Sequence, residues 1–218
     1  MFRMILYTQW KWSRLLVVAG TLAAFAIPVL SVRSAGEYNL QHWEAVALLN
    51  SIESWGVLYP ILAGALAVLM AMTAWAPDHR GRHVYALSLP VPRWYYALLR
   101  FCAGATMLAA PVLAVWIGGL VGTATSMIPP GLHAYPHVLA LRFALAALVA
   151  YGVFFAISAG TTRIAGYILA VIATIVIAQM FLSATHIGGD FIGALFDRLL
   201  TWPGPLEIFT GRWMLIDV

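Results

Sequence analysis

The sequence predicts an all-α polytopic membrane protein forming one domain over residues 1–218, and three observations predict it. Of 218 residues, 63% are apolar and only 9% are charged, whereas soluble domains carry about 25% charged residues. Mean hydropathy is +0.90, more apolar surface than a small globule has interior to hide. Finally, the apolar residues gather into runs long enough to cross lipid. A span needs about 20 apolar residues to cross ~30 Å of hydrocarbon, and five segments qualify: 15–32, 55–76, 96–122, 138–160 and 164–184.

The elements follow in chain order. Residues 1–14, MFRMILYTQWKWSR, interleave aromatic and basic side chains. That pattern suits an interfacial helix with rings inward and charges in water, anchored by Trp10 and Trp12. A signal peptide ending near Ser31–Gly36 is the rival reading of this region. The long basic stretch before the apolar run and the further spans favour a retained first helix. Pro28, Pro60 and Pro111 fall in or near spans, where membrane helices tolerate proline and sometimes kink at it. Pro129, Pro130, Gly131 and Pro136 mark the connection between spans three and four. After span five, the stretch from Ile187 is too short to cross and carries Asp190, Asp197 and Arg198; it is expected as a C-terminal extracellular re-entrant or interfacial segment. A five-span chain then leaves GPLEIFTGRWMLIDV outside, unsupported by a following helix.

Orientation follows from the bias of Lys and Arg toward the cytoplasm. With the N-terminus inside, Arg3, Lys11, Arg14, Arg80, Arg82, Arg93, Arg100 and Arg163 are cytoplasmic, and Arg33, Arg142, Arg198 and Arg212 are not. Among the acids, Asp78 alone is inside. The pI near 9.5 is thus explained by topology, since the charges form no basic stripe of the kind that binds nucleic acid.

Several chemistries are excluded or disfavoured. Lys11 is the one lysine and lies in an aromatic stretch, so no G-x-x-x-x-G-K-[ST] phosphate loop exists. No G-x-S-x-G or H-E-x-x-H pattern occurs, and no catalytic residues are expected. Cys102 has no mate, which rules out a disulfide framework or thiolate metal site. His79 and His83, and likewise His133 and His137, have the four-residue spacing of helical metal ligands. Two nearby arginines disfavour the first pair and Pro136 the second, so no metal is expected. The span centres lack ionisable groups, which argues against an internal proton relay. Glu53 and Arg142, near the outer ends of spans two and four, are compatible with an ion pair, but snorkelling to the interface is the favoured reading.

The most distinctive stretch is APDHRGRHVYALSLPVPRWYYALLRF, residues 76–101, with four arginines and three prolines. Asp78 is placed to cap a short helix running to Leu89. Pro90 and Pro92 end that helix, and Pro92 suits the first turn of the next. Arg93 and Arg100 are expected to hold the end of the third span at the headgroups. A short helix across the mouth of two spans is a lever for a partner protein; equally, any connection between spans must turn and be basic.

The stretch GRHVYALSLPVPRWYYALLRF resembles the coupling-helix region of ABC-2 type transporter permeases, with Leu87, Ser88, Leu89, Pro90 and Arg93 in the places of the Leu-Ser-Leu-Pro-like turn and the arginine opening the third span. The resemblance extends to the interfacial helix before span one, the long spans rich in small residues and the amphipathic hairpin after span five. It implies a transmembrane subunit of an ABC exporter in a bacterial inner membrane, paired with a second permease copy or a paralogue. It further implies docking onto a separate ATPase subunit that carries ATP and Mg, through Arg82, His83, Tyr85, Leu87 and Ser88 in a coupling loop over 77–93. No cofactor is expected on this chain itself, and substrate contacts are not transferable. Family members have a sixth helix after the extracellular hairpin, where this chain stops; a truncated sequence and a shortened variant are both compatible with that. The alternative expectation is a non-transporting membrane scaffold that recruits a cytoplasmic partner through the same loop.

Overall fold

The architecture comes from a computed structural model, which describes residues 1–36, 44–80, 92–126, 128, 131–159, 167, 170, 171, 174, 177, 198, 201, 204 and 207–217. The chain divides into two compact units, one of Met1–Phe155 with Arg212–Val218 and one of Ala156–Gly211. The first contains helices α1 (Phe2–Gly36), α2 (Glu44–Gly56), α3 (Leu58–Arg80) and α4 (Arg93–Ala124), strand β1 (His133–Ala134), most of α5 (Pro136–Ser158) and strand β2 (Ile216–Asp217).

Four helical runs among the described residues are long and apolar enough to cross a membrane: Phe2–Ser34, Leu48–Asp78, Arg93–Ala124 and Pro136–Ser158. The first three sequence-derived spans fall within them, and the fourth, 138–160, coincides with the last run over 138–158. The fifth, 164–184, and the segment from Ile187 lie outside the described residues except at isolated positions. The outward faces of these helices carry Leu15, Leu22, Leu113, Ile117, Leu141 and Leu145, all exposed. Apolar faces of this extent suit contact with lipid tails instead of water.

Helix α1 has 35 residues, about 52 Å at 1.5 Å per residue, well beyond the ~30 Å hydrocarbon thickness. Residues 1–14, expected as a separate interfacial helix, are the first turns of this same helix. Trp10 and Trp12 are exposed there, while Gln9 and Ser13 face the interior and are buried.

Helices α1 and α4 approach each other closely at Gly118 and Gly122, four apart on α4. A Cβ at Gly118 would come within 2.5 Å of the Phe25 carbonyl oxygen and 2.8 Å of Pro28 Cγ, and one at Gly122 within 3.0 Å of the Pro28 carbonyl oxygen. Lipid tails are as apolar as leucine, so helix association in lipid draws on close backbone approach, which small residues spaced by four allow. The hydroxyls of the apolar helices bond back along their own chain: Ser13 Oγ donates to the Gln9 carbonyl at 2.8 Å, Ser31 Oγ to the Pro28 carbonyl at 2.9 Å and Thr73 Oγ1 to the Met70 carbonyl at 2.9 Å. Each satisfies a polar group without a partner helix.

At one end of this unit the α4–α5 connection turns through Gly131, whose φ of 97° is a left-handed conformation natural to glycine. β1 then pairs antiparallel with β2, His133 opposite Asp217 and Ala134 opposite Ile216, and the Tyr135 amide donates to the Leu215 carbonyl at 2.8 Å. Leu215 and Ile216 are fully buried and Trp213 nearly so. The C-terminal stretch, expected to have no following helix to support it, is held by these contacts: residues 212–217 are integral to the first unit. Gly56 admits them, since a Cβ there would lie 2.6 Å from the Trp213 carbonyl oxygen.

Within the second unit the described residues include a 3₁₀ turn, Glu207–Phe209. It is closed by the Thr210 amide and hydroxyl, which donate to the Glu207 carbonyl at 2.9 and 2.8 Å.

Candidate functional site

The sequence-derived docking residues Arg82, His83, Tyr85, Leu87 and Ser88 lie outside the described residues. What is described is the base from which their connection leaves: the last turns of α3, ending at Arg80, and the first turns of α4, beginning at Arg93.

That base is built around buried charge. Asp78 and Arg100 are 3% and 6% exposed, and Arg100 Nη2 lies 2.9 Å from Asp78 Oδ1. Tyr96, one helical turn before Arg100, is buried with them. Its hydroxyl donates toward Asp78 Oδ1 and Oδ2 at 3.2 and 3.1 Å. The same oxygen accepts from Arg100 Nε at 2.8 Å and from Nη2 at 2.6 Å. Arg100 Nη1 donates to the Ala74 carbonyl. All three guanidinium nitrogens are thereby engaged, and the positive charge lies 5.7 Å from the Trp75 ring centre and 5.1 Å from that of Tyr96.

The local sequence explains why the groups meet. Pro77 sits inside α3 and has no amide hydrogen, so the helical ladder is interrupted in that turn. In the same turn the neighbouring Ala74 carbonyl serves as an acceptor for a side chain. Asp78 follows directly on α3. On α4 the Tyr96–Arg100 spacing of four puts both on one face, toward α3. Trp75 extends the cluster to a third helix: its Nε1 donates to the Phe155 carbonyl of α5 at 3.2 Å, with the two rings 5.1 Å apart. Phe101 stacks on Tyr151 at 5.1 Å and meets Phe155 edge-on at 5.4 Å.

Asp78 belongs to α3 and faces Arg100, and the short helix it was expected to cap lies outside the described residues. One sequence-level expectation is corrected here. Arg100 does not reach out to headgroups; it points inward, in a stretch counted as the third span. One signal for this was present: Asp78 follows an apolar run without another acid in it, and an acid placed among apolar helices needs a cation close by.

At the opposite end of α3, Trp213 stacks near Tyr59 with centroids 6.3 Å apart and planes 13° apart, and Arg142 lies 4.6 Å from the Trp213 ring centre. Arg142 Nη1 donates to the Arg212 carbonyl at 2.6 Å, while Glu53 lies 3.5 Å from Arg212 Nε. Glu53 and Arg142, for which snorkelling was the favoured reading, both engage the C-terminal segment. His137 accepts at Nδ1 from Trp116 Nε1 at 2.8 Å. His133 sits in β1 and His137 in α5, so this pair shares no helix; the side chains of His79 and His83 lie outside the described residues. Among the described residues no group of three His, Cys, Asp or Glu side chains is arranged to hold a metal ion. No family model, curated protein or solved structure matches the chain.

Proposed function

We propose that this chain is the membrane-spanning permease subunit of an ABC exporter, working with a separate ATPase subunit and a second permease copy or paralogue. One observation does most to support the reading. The connection whose sequence resembles a coupling helix leaves from two helix ends fastened together by the buried Asp78–Tyr96–Arg100 cluster. A segment that receives force from a partner needs a base that does not yield locally. Without one, displacement is lost in fraying, because helix ends are the least stable parts of a helix.

In this scheme the N-terminus is cytoplasmic in a bacterial inner membrane, and Arg82, His83, Tyr85, Leu87 and Ser88 meet the ATPase. ATP binding and hydrolysis there shift the permease between states by differential affinity. Replacing Leu87 or Tyr85 with Asp is expected to abolish co-purification with the ATPase while membrane insertion is retained. Unchanged co-purification overturns the docking assignment. The same firm base also favours a second reading, a non-transporting scaffold that recruits a cytoplasmic partner. Stimulation of the ATPase by transported substrate separates the two, since a scaffold gives none.

A further inference from the structure

Helices α3 and α4 are joined twice: through the connection between Arg80 and Arg93, and through the side-chain cluster of Asp78, Tyr96 and Arg100. The second link spans the helices directly. Arg100 on α4 bonds the Asp78 carboxylate and the Ala74 carbonyl of α3, and Tyr96 on α4 bonds both carboxylate oxygens. All three side chains are nearly inaccessible, so neither charge can exchange its partner for water. Separating the helix ends would leave a guanidinium and a carboxylate charge unpaired in apolar surroundings, a far larger penalty than that of parting apolar surfaces alone.

We propose that the Asp78–Tyr96–Arg100 cluster is a clamp that makes the end of α3 and the start of α4 move as one body. Asp78, Tyr96 and Arg100 are then positioning residues. The clamp gives the connection a fixed base, and a displacement of the connection reaches both helices together. The use of that base for docking rests on the function proposed above; the coupling of the two helices does not.

The exposed side chains of Met72 on α3 and Leu98 on α4 are suitable sites for spin labels once the exposed Cys102 has been replaced by serine. Double electron–electron resonance on the full chain in lipid nanodiscs then reads the distance between them. One narrow distribution is expected with the clamp intact. In Asp78→Asn its width rises roughly twofold, as helix ends released from a shared anchor sample separate positions, and in Asp78→Glu, which keeps the charge, the narrow distribution returns. An unchanged width in Asp78→Asn, or equal broadening in Asn and Glu, overturns the clamp.

Should the single neutral variant fail to accumulate, Asp78→Asn combined with Arg100→Gln removes both charges and leaves no unpaired ion. It too must broaden the distribution, and a narrow one overturns the proposal. These outcomes do not depend on any ATPase. A clamp that passes while Leu87→Asp leaves co-purification unchanged disproves the docking role alone, and a clamp that fails leaves docking to be decided by co-purification.

Discussion

Two arginines at opposite ends of α3 show how differently one kind of ion pair is used. Arg100 meets Asp78 at 2.9 Å with side chains 8% and 2% exposed, and Arg212 meets Glu53 at 3.5 Å with side chains 69% and 49% exposed. In the first pair every alternative partner is protein, so the geometry is obligatory: Tyr96 and Ala74 take up the remaining donors. In the second, water competes for both groups and screens the attraction. Order at that end comes instead from ring stacking on Trp213 and from the β1–β2 pairing. The difference teaches that a charged pair organises this bundle only where desolvation makes separation costly.

The largest effect expected from breaking this contrast is at the buried end. Arg100→Ala strands the Asp78 carboxylate and is expected to destabilise the protein by about 3–5 kcal/mol, read as loss of the monodisperse species on heating in detergent. Removing Asp78 as well should recover most of that loss, since no uncompensated ion remains. At the other end Trp213→Ala, which removes a ring 4% exposed from between Tyr59 and Arg142, is expected to cost about 3 kcal/mol. If it costs nothing, the C-terminal segment does not hold that end together.

A smaller effect belongs to the α1–α4 contact. Gly118→Ala puts a methyl group against the Phe25 carbonyl and Pro28 and is expected to cost about 1–3 kcal/mol through overpacking. Gly64, where an added Cβ meets nothing, is the control: Gly64→Ala should be neutral or stabilising by up to about 1 kcal/mol, because alanine is the better helix former. The smallest effect sharpens the original comparison. Glu53→Gln should change stability by no more than about 0.5 kcal/mol, and a loss comparable with that of Arg100→Ala would show that exposure does not separate the two pairs.

The helices were readable from the sequence because their signal is local and additive. Each apolar residue favours lipid on its own account, and some 20 in succession suffice. The first four spans therefore agree with α1, α3, α4 and α5 to within a few residues at most ends. Residues 1–14 misled because alternating basic and aromatic residues suit an interfacial helix as well as the first turns of a longer one. The buried faces of Gln9 and Ser13 distinguish the two, and burial depends on what α3 and α4 bring alongside.

The candidate site divides in the same way. Its location was visible in the sequence, in the basic, proline-marked stretch between two spans, and so was the four-residue spacing of Tyr96 and Arg100. The fate of its charges was not. Asp78 suits a helix cap and Arg100 suits a headgroup anchor when each is considered with its near neighbours, since capping and snorkelling are the usual uses of such residues at helix ends.

By itself, then, the sequence determined that the chain is helical, where its apolar runs lie and which stretch between them carries concentrated charge, because transfer free energy sums residue by residue. The tertiary structure decided which charges leave the surface and which segment closes the far end. Asp78 and Arg100 are 22 residues apart, and Trp213 is brought to Tyr59 across most of the chain. A buried charge is tolerable only with its partner in place, and that partner is supplied by the packing of another helix.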